Sequence, residues 1–455
     1  MSKGIDMAES QAPRTPRSID FWDAFRFWLK LGFISFGGPA GQIAIMHREL
    51  VENRRWISEQ RFLHALNYCM LLPGPEAQQL SVYIGWLLHR TWGGIVAGLL
   101  FILPSLFILI VLTWIYLAFQ DAPVVSGIFY GIKPAVTAIV IHAAYRIGSR
   151  TLKNGLLWAI ACAAFIAIFA LKIPFPIIVA IAALLGYLGG RFSSDYFKLG
   201  SHPTKQMNQS FGPAVIDDDS PRLSHTFFRW AHLAKIVVIG MLLWLIPMSL
   251  MMQYLGWQHA LTQMGWFFTK AALLTFGGAY AVLPYVYQGA VDYYQWLLPY
   301  QMIDGLALGE TTPGPLIMVV TFVGFVAGWN LTLMGPDHLL LAGIIAGVVV
   351  TYFTFLPSFI FVLAGGPLVE STHGNLKFTA PLTAITAAVV GVIINLALFF
   401  AWHVLFPGNQ QNFDFVAGLI TLFAVIALFR FQVGVIPVLI YSGILGLSLT
   451  VLGLL

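Results

Sequence analysis

The chain has 455 residues, of which 58% are hydrophobic and only 9% are charged. With a mean hydropathy of +0.81 and repeated apolar runs of about 20 residues, long enough to span a bilayer, it is not a soluble globular protein. We predict an all-α polytopic membrane protein. The formal net charge of +5 is small for this length, so we interpret it as a topology signal and not as nucleic-acid binding.

Apolar segments follow one another along the chain after a polar N-terminal stretch that has no signal-peptide core. They lie at 21–46, 62–88, 92–119, 124–145, 155–171, 173–190, 234–255, 257–287, 300–329, 338–364, 379–404, 413–430 and 432–455. The stretch between the sixth and seventh segments is rich in Ser, Pro, Gly and charge, as solvated linkers are. We therefore predict a cytoplasmic tail (1–20), an N-terminal transmembrane repeat (21–190), a cytoplasmic linker (191–233), a linking transmembrane helix (234–255) and a C-terminal repeat (256–455).

The second half of the sequence repeats the first at a shift of 240 residues. Phe36-Gly37-Gly38 recurs as Phe276-Gly277-Gly278, and Pro73-Gly74-Pro75 recurs as Pro313-Gly314-Pro315. Lys30 matches Lys270 at the same shift. Because a single linking helix separates the two copies, the second copy enters the membrane from the other side. The pattern predicts two inverted-topology repeats.

The loop between the two motifs carries a charge difference that agrees with inversion. In the first half this loop contains Arg48, Arg54, Arg55 and Arg61, whereas its counterpart at 288–295 has Asp292 and no Lys or Arg. The positive-inside rule places the first loop in the cytoplasm and the second outside.

Two topologies fit these charges in different ways. If each motif-bearing segment is a simple span, the chain crosses thirteen times, and the basic tail and the arginine loop lie on opposite sides. If the Phe-Gly-Gly and Pro-Gly-Pro segments are re-entrant hairpins, both basic regions are cytoplasmic and the count falls to nine. In the hairpin arrangement Arg90, Arg146, Arg150, Lys153, Lys377 and Arg430 are cytoplasmic as well. The sequence leaves both topologies open.

Pro-Gly-Pro within an apolar segment predicts a discontinuous helix, because proline lacks the amide donor and glycine lacks a side chain. Broken backbone is tolerated at membrane depth only where it is buried in protein or lines a cavity, and transporters use it to bind ions. Pro75 and Pro315 suit the first position of a new half-helix, whose free amides would face an anion. The alternative interpretation is a simple kink in a packed helix.

Polar residues flank both breaks in both repeats. Ser35 and Thr275 precede Phe-Gly-Gly and carry hydroxyls that can donate to an oxyanion. Lys30 and Lys270 are costly inside a membrane, so we interpret them as anion ligands, with snorkelling to the interface as the alternative. Glu76, Gln78 and Gln79 follow the first Pro-Gly-Pro, whereas Glu310 precedes the second. Either glutamate could take up a proton, pair with a lysine or act only as a hydrogen-bond acceptor. Asp304, Asn67, Lys133 and His142 are weaker candidates.

Several kinds of chemistry have no signal in the sequence. It contains no metalloprotease, nucleophile-elbow or Walker A motif and no metal-spaced cysteine cluster. We expect neither a cofactor nor an enzymatic activity. Cys69 and Cys162 lie in apolar segments and suit packing better than a disulfide.

The stretch from "SFGGPAGQ" to "LLPGPEAQQLSVYIGW" resembles the N-terminal signature of the chromate ion transporter superfamily, and "TFGGAYAVLPYV" with "ETTPGP" resembles its C-terminal counterpart. The resemblance covers essentially the whole chain and matches the long, two-domain form. It implies a multi-pass protein of the bacterial inner membrane that exports chromate and confers chromate resistance, with antiparallel halves.

These observations together predict alternating access to an oxyanion site between the repeats. The alternatives are a transporter of another oxyanion, such as sulfate, and a membrane protein that handles anionic lipids; the oligomeric state, a homodimer included, stays open. The predicted substrate-binding residues are Lys30, Ser35, Gly37, Gly38, Gly74, Pro75, Glu76, Gln78, Lys270, Thr275, Gly277, Gly278, Glu310, Gly314 and Pro315. Arg48, Arg54, Arg55 and Arg61 would gather anions at the cytoplasmic mouth, or serve topology alone.

Overall fold

The computed structural model describes residues 19–192, 212–218, 223–372, 379–407 and 412–454, and their regular secondary structure is helical. The predicted tail, apart from its last two residues, and much of the predicted linker lie outside these ranges, as does Lys377. The helices are α1 (Phe21–Ile34), α2 (Gly38–His47), α3 (Glu59–Leu71), α4 (Glu76–Ala118), α5 (Pro123–Thr151), α6 (Gly155–Phe169), α7 (Phe175–Phe192), α8 (Trp230–Leu255), α9 (Ala260–Leu274), α10 (Ala279–Tyr287), α11 (Pro299–Thr311), α12 (Val319–Asn330), α13 (Leu339–Thr372), α14 (Thr379–Leu405), α15 (Phe415–Phe429) and α16 (Val435–Val451).

The predicted repeat is confirmed by the order of the elements. Each half has a helix, a glycine break, a helix that ends in a π-helical turn, a third helix and a Pro-Gly-Pro break. The two π-helical turns are Arg48–Asn53 and Gln288–Tyr293, which stand 240 residues apart, as α3 and α11 do. α8 links the two halves.

α1 and α2 form a re-entrant hairpin. The 14 residues of α1 extend about 21 Å, which is shorter than the roughly 30 Å hydrocarbon core of a bilayer. Beyond the glycine break the chain comes back, because the Trp56 ring lies 5.0 Å from the ring of Phe27 in the middle of α1. The second half has the same return, with Trp296 5.7 Å from Phe267.

α3 and the first part of α4 form a second hairpin. α4 is two antiparallel arms, 76–88 and 91–118, because the backbone leaves helical geometry at His89 and Arg90. The arms pack so closely that a Cβ added to Gly85 would lie 2.5 Å from the carbonyl oxygen of Gly93. His89 Nε2 lies 3.0 Å from the Ile19 carbonyl oxygen. The start of α1 and this turn therefore share one face of the protein, which we call the linker face.

Two long helical segments connect the linker face with the opposite, far face. The arm 91–118 begins at the linker face, and its end reaches the second half, where the Tyr116 hydroxyl donates to Asp304 of α11. α13 begins in the second half and ends against α3 of the first, where Arg61 donates to Glu370. Each segment begins on the face of its own half and ends on the face of the other, as inverted repeats require.

The remaining helices exchange partners between the halves. α6 and α7 pack against α14, while α15 and α16 pack against α5. Five helices among the described residues are long and apolar enough to cross a membrane, namely α4, α5, α8, α13 and α14. α6, α7, α15 and α16 are shorter apolar helices of 15 to 18 residues. With four re-entrant hairpins, the arrangement agrees with the nine-span topology and not with thirteen simple spans.

Part of the predicted linker is bound to the arginine loop. The Val215 amide donates to the Arg55 carbonyl at 2.9 Å, and the Ile216 amide donates to the Trp56 carbonyl at 3.1 Å. The Ser58 hydroxyl donates to Asp218 at 2.6 Å. This short β-like pairing holds the linker against the mouth of the first hairpin.

Side-specific labelling tests the hairpin topology. In a background with Cys69→Ala and Cys162→Ala, we expect Glu52→Cys and Arg90→Cys to react with a membrane-impermeant maleimide from the same side, because both positions are exposed on the linker face. Tyr293→Cys should react from the other side. Simple spans would place residues 52 and 90 on opposite sides, and that labelling pattern would contradict the hairpins.

Candidate functional site

The four breaks meet near the middle of the protein. The Gly74 amide of the first half donates to the Thr275 carbonyl of the second half at 2.7 Å, and the Gly314 amide of the second half donates to the Ser35 carbonyl of the first at 2.8 Å. We call the four breaks (35–38, 72–75, 275–278 and 312–315) the crossing. The two bonds are equivalent, as expected for halves related by a two-fold axis. Each Pro-Gly-Pro break is thus held by the Phe-Gly-Gly break of the other repeat.

Glycine is needed at the centre of each Pro-Gly-Pro break for two reasons. Gly74 and Gly314 have φ angles of +129° and +101°, a region that residues with a side chain rarely adopt. A Cβ added to Gly314 would also lie 2.7 Å from the Cβ of Ser105. The backbone here approaches a neighbouring helix more closely than any other residue allows.

Helix N-termini begin at all four breaks. α2 follows Gly37, α4 follows Pro75 and α10 follows Gly278, and a 3₁₀ turn that leads into α12 follows Pro315. The prediction that the two prolines occupy the first helical position was wrong by one residue. Each is the N-cap, with an extended ψ that lets its carbonyl accept the first helical bond, from the Gln79 amide in the case of Pro75. The positive ends of four half-helices therefore lie at the crossing.

Polar side-chain atoms without partners surround the same place. Among the described residues, buried atoms that make no hydrogen bond include the hydroxyls of Ser35, Ser105 and Ser358, both polar atoms of Gln78, and Gln79 Oε1. The Gln79 amide nitrogen is fixed by the Pro73 carbonyl at 2.8 Å. Buried polar groups in proteins normally have partners, and unmet ones are costly. A concentration of them at broken helices is the expected appearance of a binding site.

Sequence analysis missed Ser105 and Ser358. Ser105 of the first half faces Gly314 of the second, and Ser358 of the second half faces Gly74 of the first. Both belong to a repeated Leu-Pro-Ser tripeptide, at 103–105 and 356–358. Their shift is 253 residues, because the second half has more residues than the first between the Pro-Gly-Pro break and the tripeptide. The tripeptide was a detectable signal, but a search at the fixed shift of 240 passed over it.

The two predicted hydroxyl donors differ in the structure. The Ser35 hydroxyl is buried without a partner among the described residues, so it is free to bind a ligand. The Thr275 hydroxyl donates to the Ala271 carbonyl at 2.6 Å within its own helix. Thr275 instead contributes its carbonyl to the crossing.

The structure does not bring the two lysines to the crossing. Lys30 lies on an exposed face of α1, together with Leu29, Phe33 and Ile34. Lys270 is half-buried, with its ammonium group 5.8 Å from the centre of the Trp266 ring.

The two glutamates lie in different environments, as their non-equivalent sequence positions predicted. Glu76 is half-buried in the first turn of α4. Glu310 is buried in the last turn of α11, one turn before the break, and accepts a hydrogen bond from the Tyr280 hydroxyl.

The arginines of the predicted cytoplasmic mouth have different surroundings. Arg48 is exposed, and Arg54 stacks over the ring of Phe27 at 4.9 Å. Arg55 donates to the Val51 carbonyl at 2.8 Å, and Arg61 is in an ion pair with Glu370 at 2.9 Å. Arg48 is therefore open to solvent, while the other three make contacts that help to hold the loop in place.

Comparison with known proteins identifies the family. The sequence profile described as "Chromate transporter" matches residues 22–187 and 262–447, one match in each repeat. The chain belongs to the chromate transporter family. It is 31% identical to a chromate transport protein of Pseudomonas aeruginosa, over 95% of this chain and 93% of the relative. It is 28% identical to a chromate transport protein of Cupriavidus metallidurans (89% and 87% covered) and to a probable chromate transport protein of Synechococcus elongatus (88% of each). No solved structure matches the chain.

Within the described part of this chromate transporter family member, no three His, Cys, Asp or Glu residues are grouped to hold a metal ion. Cys69 is buried and Cys162 is exposed, and both are free. The crossing offers hydrogen bonding by backbone amides, hydroxyls and carboxamides.

The close approach at the crossing predicts a stability effect. We expect Gly314→Ala to lower the free energy of unfolding by about 1–3 kcal/mol, because alanine is strained at positive φ and its Cβ meets Ser105. The measurement is the thermal unfolding midpoint in detergent. Gly155→Ala is the matched control, since a Cβ there meets nothing within 4 Å. Equal midpoints for the two variants would contradict the packing described here.

Proposed function

We propose that this protein exports chromate from the bacterial cytoplasm, and so confers chromate resistance, by alternating access to an oxyanion site at the crossing. The observation that carries the proposal is the group of unpartnered buried donors at four half-helix N-termini. The names of the relatives support chromate as the substrate.

The crossing suits a tetrahedral dianion. Chromate at neutral pH has the shape and much of the charge of sulfate, and such anions are bound well by backbone amides and hydroxyls at helix N-termini. The free hydroxyls of Ser35, Ser105 and Ser358 would donate to different oxygens, and Gln78 can donate through its amide nitrogen. Because these donors are neutral, they lower the energy of the anion without holding it too firmly for release.

The proposed site also includes residues at or next to the ends of the half-helices. These are Gly37, Gly38, Glu76, Gly277, Gly278 and the two Pro-Gly-Pro breaks. Lys30 and Lys270 are about one to two helical turns from the Phe-Gly-Gly breaks. Their role as ligands stays a prediction, which Lys30→Gln and Lys270→Gln test in the flux assay below.

Electrostatics favour export. Moving one elementary charge through a potential of 100 mV changes its energy by about 2.3 kcal/mol, so a dianion gains roughly 4.6 kcal/mol when it leaves a cell whose interior is negative. A potential-driven path alone can thus export chromate, and exchange against a proton on Glu76 or Glu310 would add to this force.

The linker face is the cytoplasmic one in this proposal. This face contains the arginine loop and Arg90, and it also contains Arg150, which lies at the linker-face end of α5. These positive charges agree with the positive-inside rule. The inverted repeats would rock about the crossing and open it first to this face and then to the far face. The bacterial inner membrane is the matching location.

Removing the free hydroxyls tests the site. In everted vesicles, which expose the linker face, we expect Ser105→Ala and Ser358→Ala each to raise the chromate concentration for half-maximal uptake about tenfold or more, because a hydrogen bond to a charged group contributes about 1.5–3 kcal/mol. The measurement is initial uptake of labelled chromate.

Ser442→Ala is the matched control, because the Ser442 hydroxyl is also buried without a partner among the described residues but lies where α16 packs against α5. Unchanged uptake in both crossing variants would contradict the site. Unlabelled sulfate that competes as well as chromate would instead indicate a general oxyanion transporter, and vesicles that show no chromate uptake would contradict the proposed substrate.

A further inference from the structure

Two ion pairs, each with a buried carboxylate and a partly exposed cation, join the repeats, one on each side of the crossing. On the linker side, Arg61 of α3 donates to Oε2 of Glu370 at 2.9 Å, and the Tyr83 hydroxyl donates to Oε1 at 2.6 Å. We call this group the linker-side clamp. The cation and the tyrosine come from the first half and the carboxylate from the second, so the clamp fastens the end of α13 to the first half.

The far side has a counterpart. Lys133 of α5 lies 3.4 Å from Oδ2 of Asp304, and the Tyr116 hydroxyl donates to the same oxygen at 2.8 Å. We call this group the far-side clamp. It again combines a cation and a tyrosine of the first half with a carboxylate of the second. It fastens the end of the arm 91–118 and the neighbouring α5 to α11.

The clamps occupy related places in the two repeats. One clamp joins α3 to the end of α13, and the other joins α11 to the end of the arm 91–118. Each clamp therefore links the third helix of one repeat to the long helical segment of the other repeat. Glu370 and Asp304 are buried, with 7% and 1% of their side chains exposed. Both clamps are formed in this structure, and the unpartnered atoms of the crossing are buried between them. The structure therefore has the features of an occluded state.

We propose that the two clamps are the gates of the transporter, and that they open alternately. The inference rests on the alternating access proposed above and adds the residues that control it. Opening a gate separates an ion pair whose carboxylate is buried, which is unfavourable unless each charge finds another partner. An arriving oxyanion supplies that partner for the cation, and water that enters on the opened side hydrates the carboxylate. A gate of this kind opens readily for its anion and resists opening without it.

The two clamps are not equally tight. Glu370 uses both oxygens, each with its own donor. Asp304 uses one oxygen for both partners, and its Oδ1 has no hydrogen bond among the described residues. Arg61 also makes a charge-assisted hydrogen bond at 2.9 Å, whereas Lys133 is a looser contact at 3.4 Å. The far-side gate is thus the weaker one, which favours release on that side.

A native cysteine reports on the linker-side gate. Tyr68, beside Cys69 on α3, donates through its hydroxyl to the Phe361 carbonyl of α13. Cys69 is fully buried in a cluster that includes Val362 and Leu363 of α13. We expect movement of α13 away from α3 to uncover Cys69, so that its alkylation rate measures opening without any transport.

The experiment uses full-length protein with Cys162→Ala and follows N-ethylmaleimide labelling of Cys69. We expect Arg61→Gln and Glu370→Gln each to raise the labelling rate at least about tenfold, equivalent to 1.4 kcal/mol. The exchanged pair, Arg61→Glu with Glu370→Arg, should return the rate towards that of the parent. Arg48→Gln, in the same loop but exposed, is the matched control and should leave the rate unchanged.

Alternation is tested by the other clamp. We expect Lys133→Gln to lower the Cys69 labelling rate below that of the parent, because opening the far-side gate requires the linker-side gate to be shut. Three outcomes would contradict the proposal that the clamps are gates. They are equal labelling rates for Arg61→Gln and Arg48→Gln, no recovery of the rate in the exchanged pair, and faster labelling in Lys133→Gln than in the parent. Because labelling needs no substrate, these outcomes are separate from failure of chromate uptake, which would contradict only the proposed cargo.

Discussion

The architecture depends on two reciprocal hydrogen bonds between backbone groups at broken helices. A helix interrupted inside a membrane leaves amides and carbonyls that lipid cannot satisfy, and each unmet group costs several kcal/mol. Here the Pro-Gly-Pro amide of each repeat donates to the carbonyl that precedes the Phe-Gly-Gly of the other, at 2.7 and 2.8 Å. Each break is therefore completed only by the opposite copy. This explains why the two motifs occur together, why they occur twice, and why the halves interlock instead of lying side by side.

The same constraint produces the candidate site. Hairpins that end at mid-membrane bring four helix N-termini to one place, and the long segments 91–118 and α13 supply Ser105 and Ser358 at their midpoints. The protein satisfies the breaks with backbone and leaves several side-chain donors unmet. A site composed of neutral donors and helix ends gives a dianion enough stabilisation to enter the membrane. The charged groups lie farther out, in the two clamps, where they control access.

The sequence predicted much of this arrangement, and the parts it left open have physical reasons. The repeated motifs revealed the two units. Pro and Gly located the breaks, because these residues change the backbone conformation at their own positions. Charge counting could not decide between spans and hairpins; that choice depends on the packing of Gly85 against Gly93 and on the return of Trp56 to Phe27. Lys30 was predicted to be an anion ligand because a charged side chain is unfavourable in lipid, yet in the structure it lies on an exposed face of α1. The pairing of Arg61 with Glu370 spans 309 residues and has no local signal.

The most direct test of the central claim is to locate a bound oxyanion. A cryo-electron microscopy map of the protein with tungstate, a heavy tetrahedral dianion of the same shape as chromate, would show it directly. The account predicts strong density at the crossing, within hydrogen-bond distance of Ser105, Ser358 and the amides at the start of α4. Density confined to the exposed arginine loop, with the crossing empty and the broken helices unchanged, would contradict it.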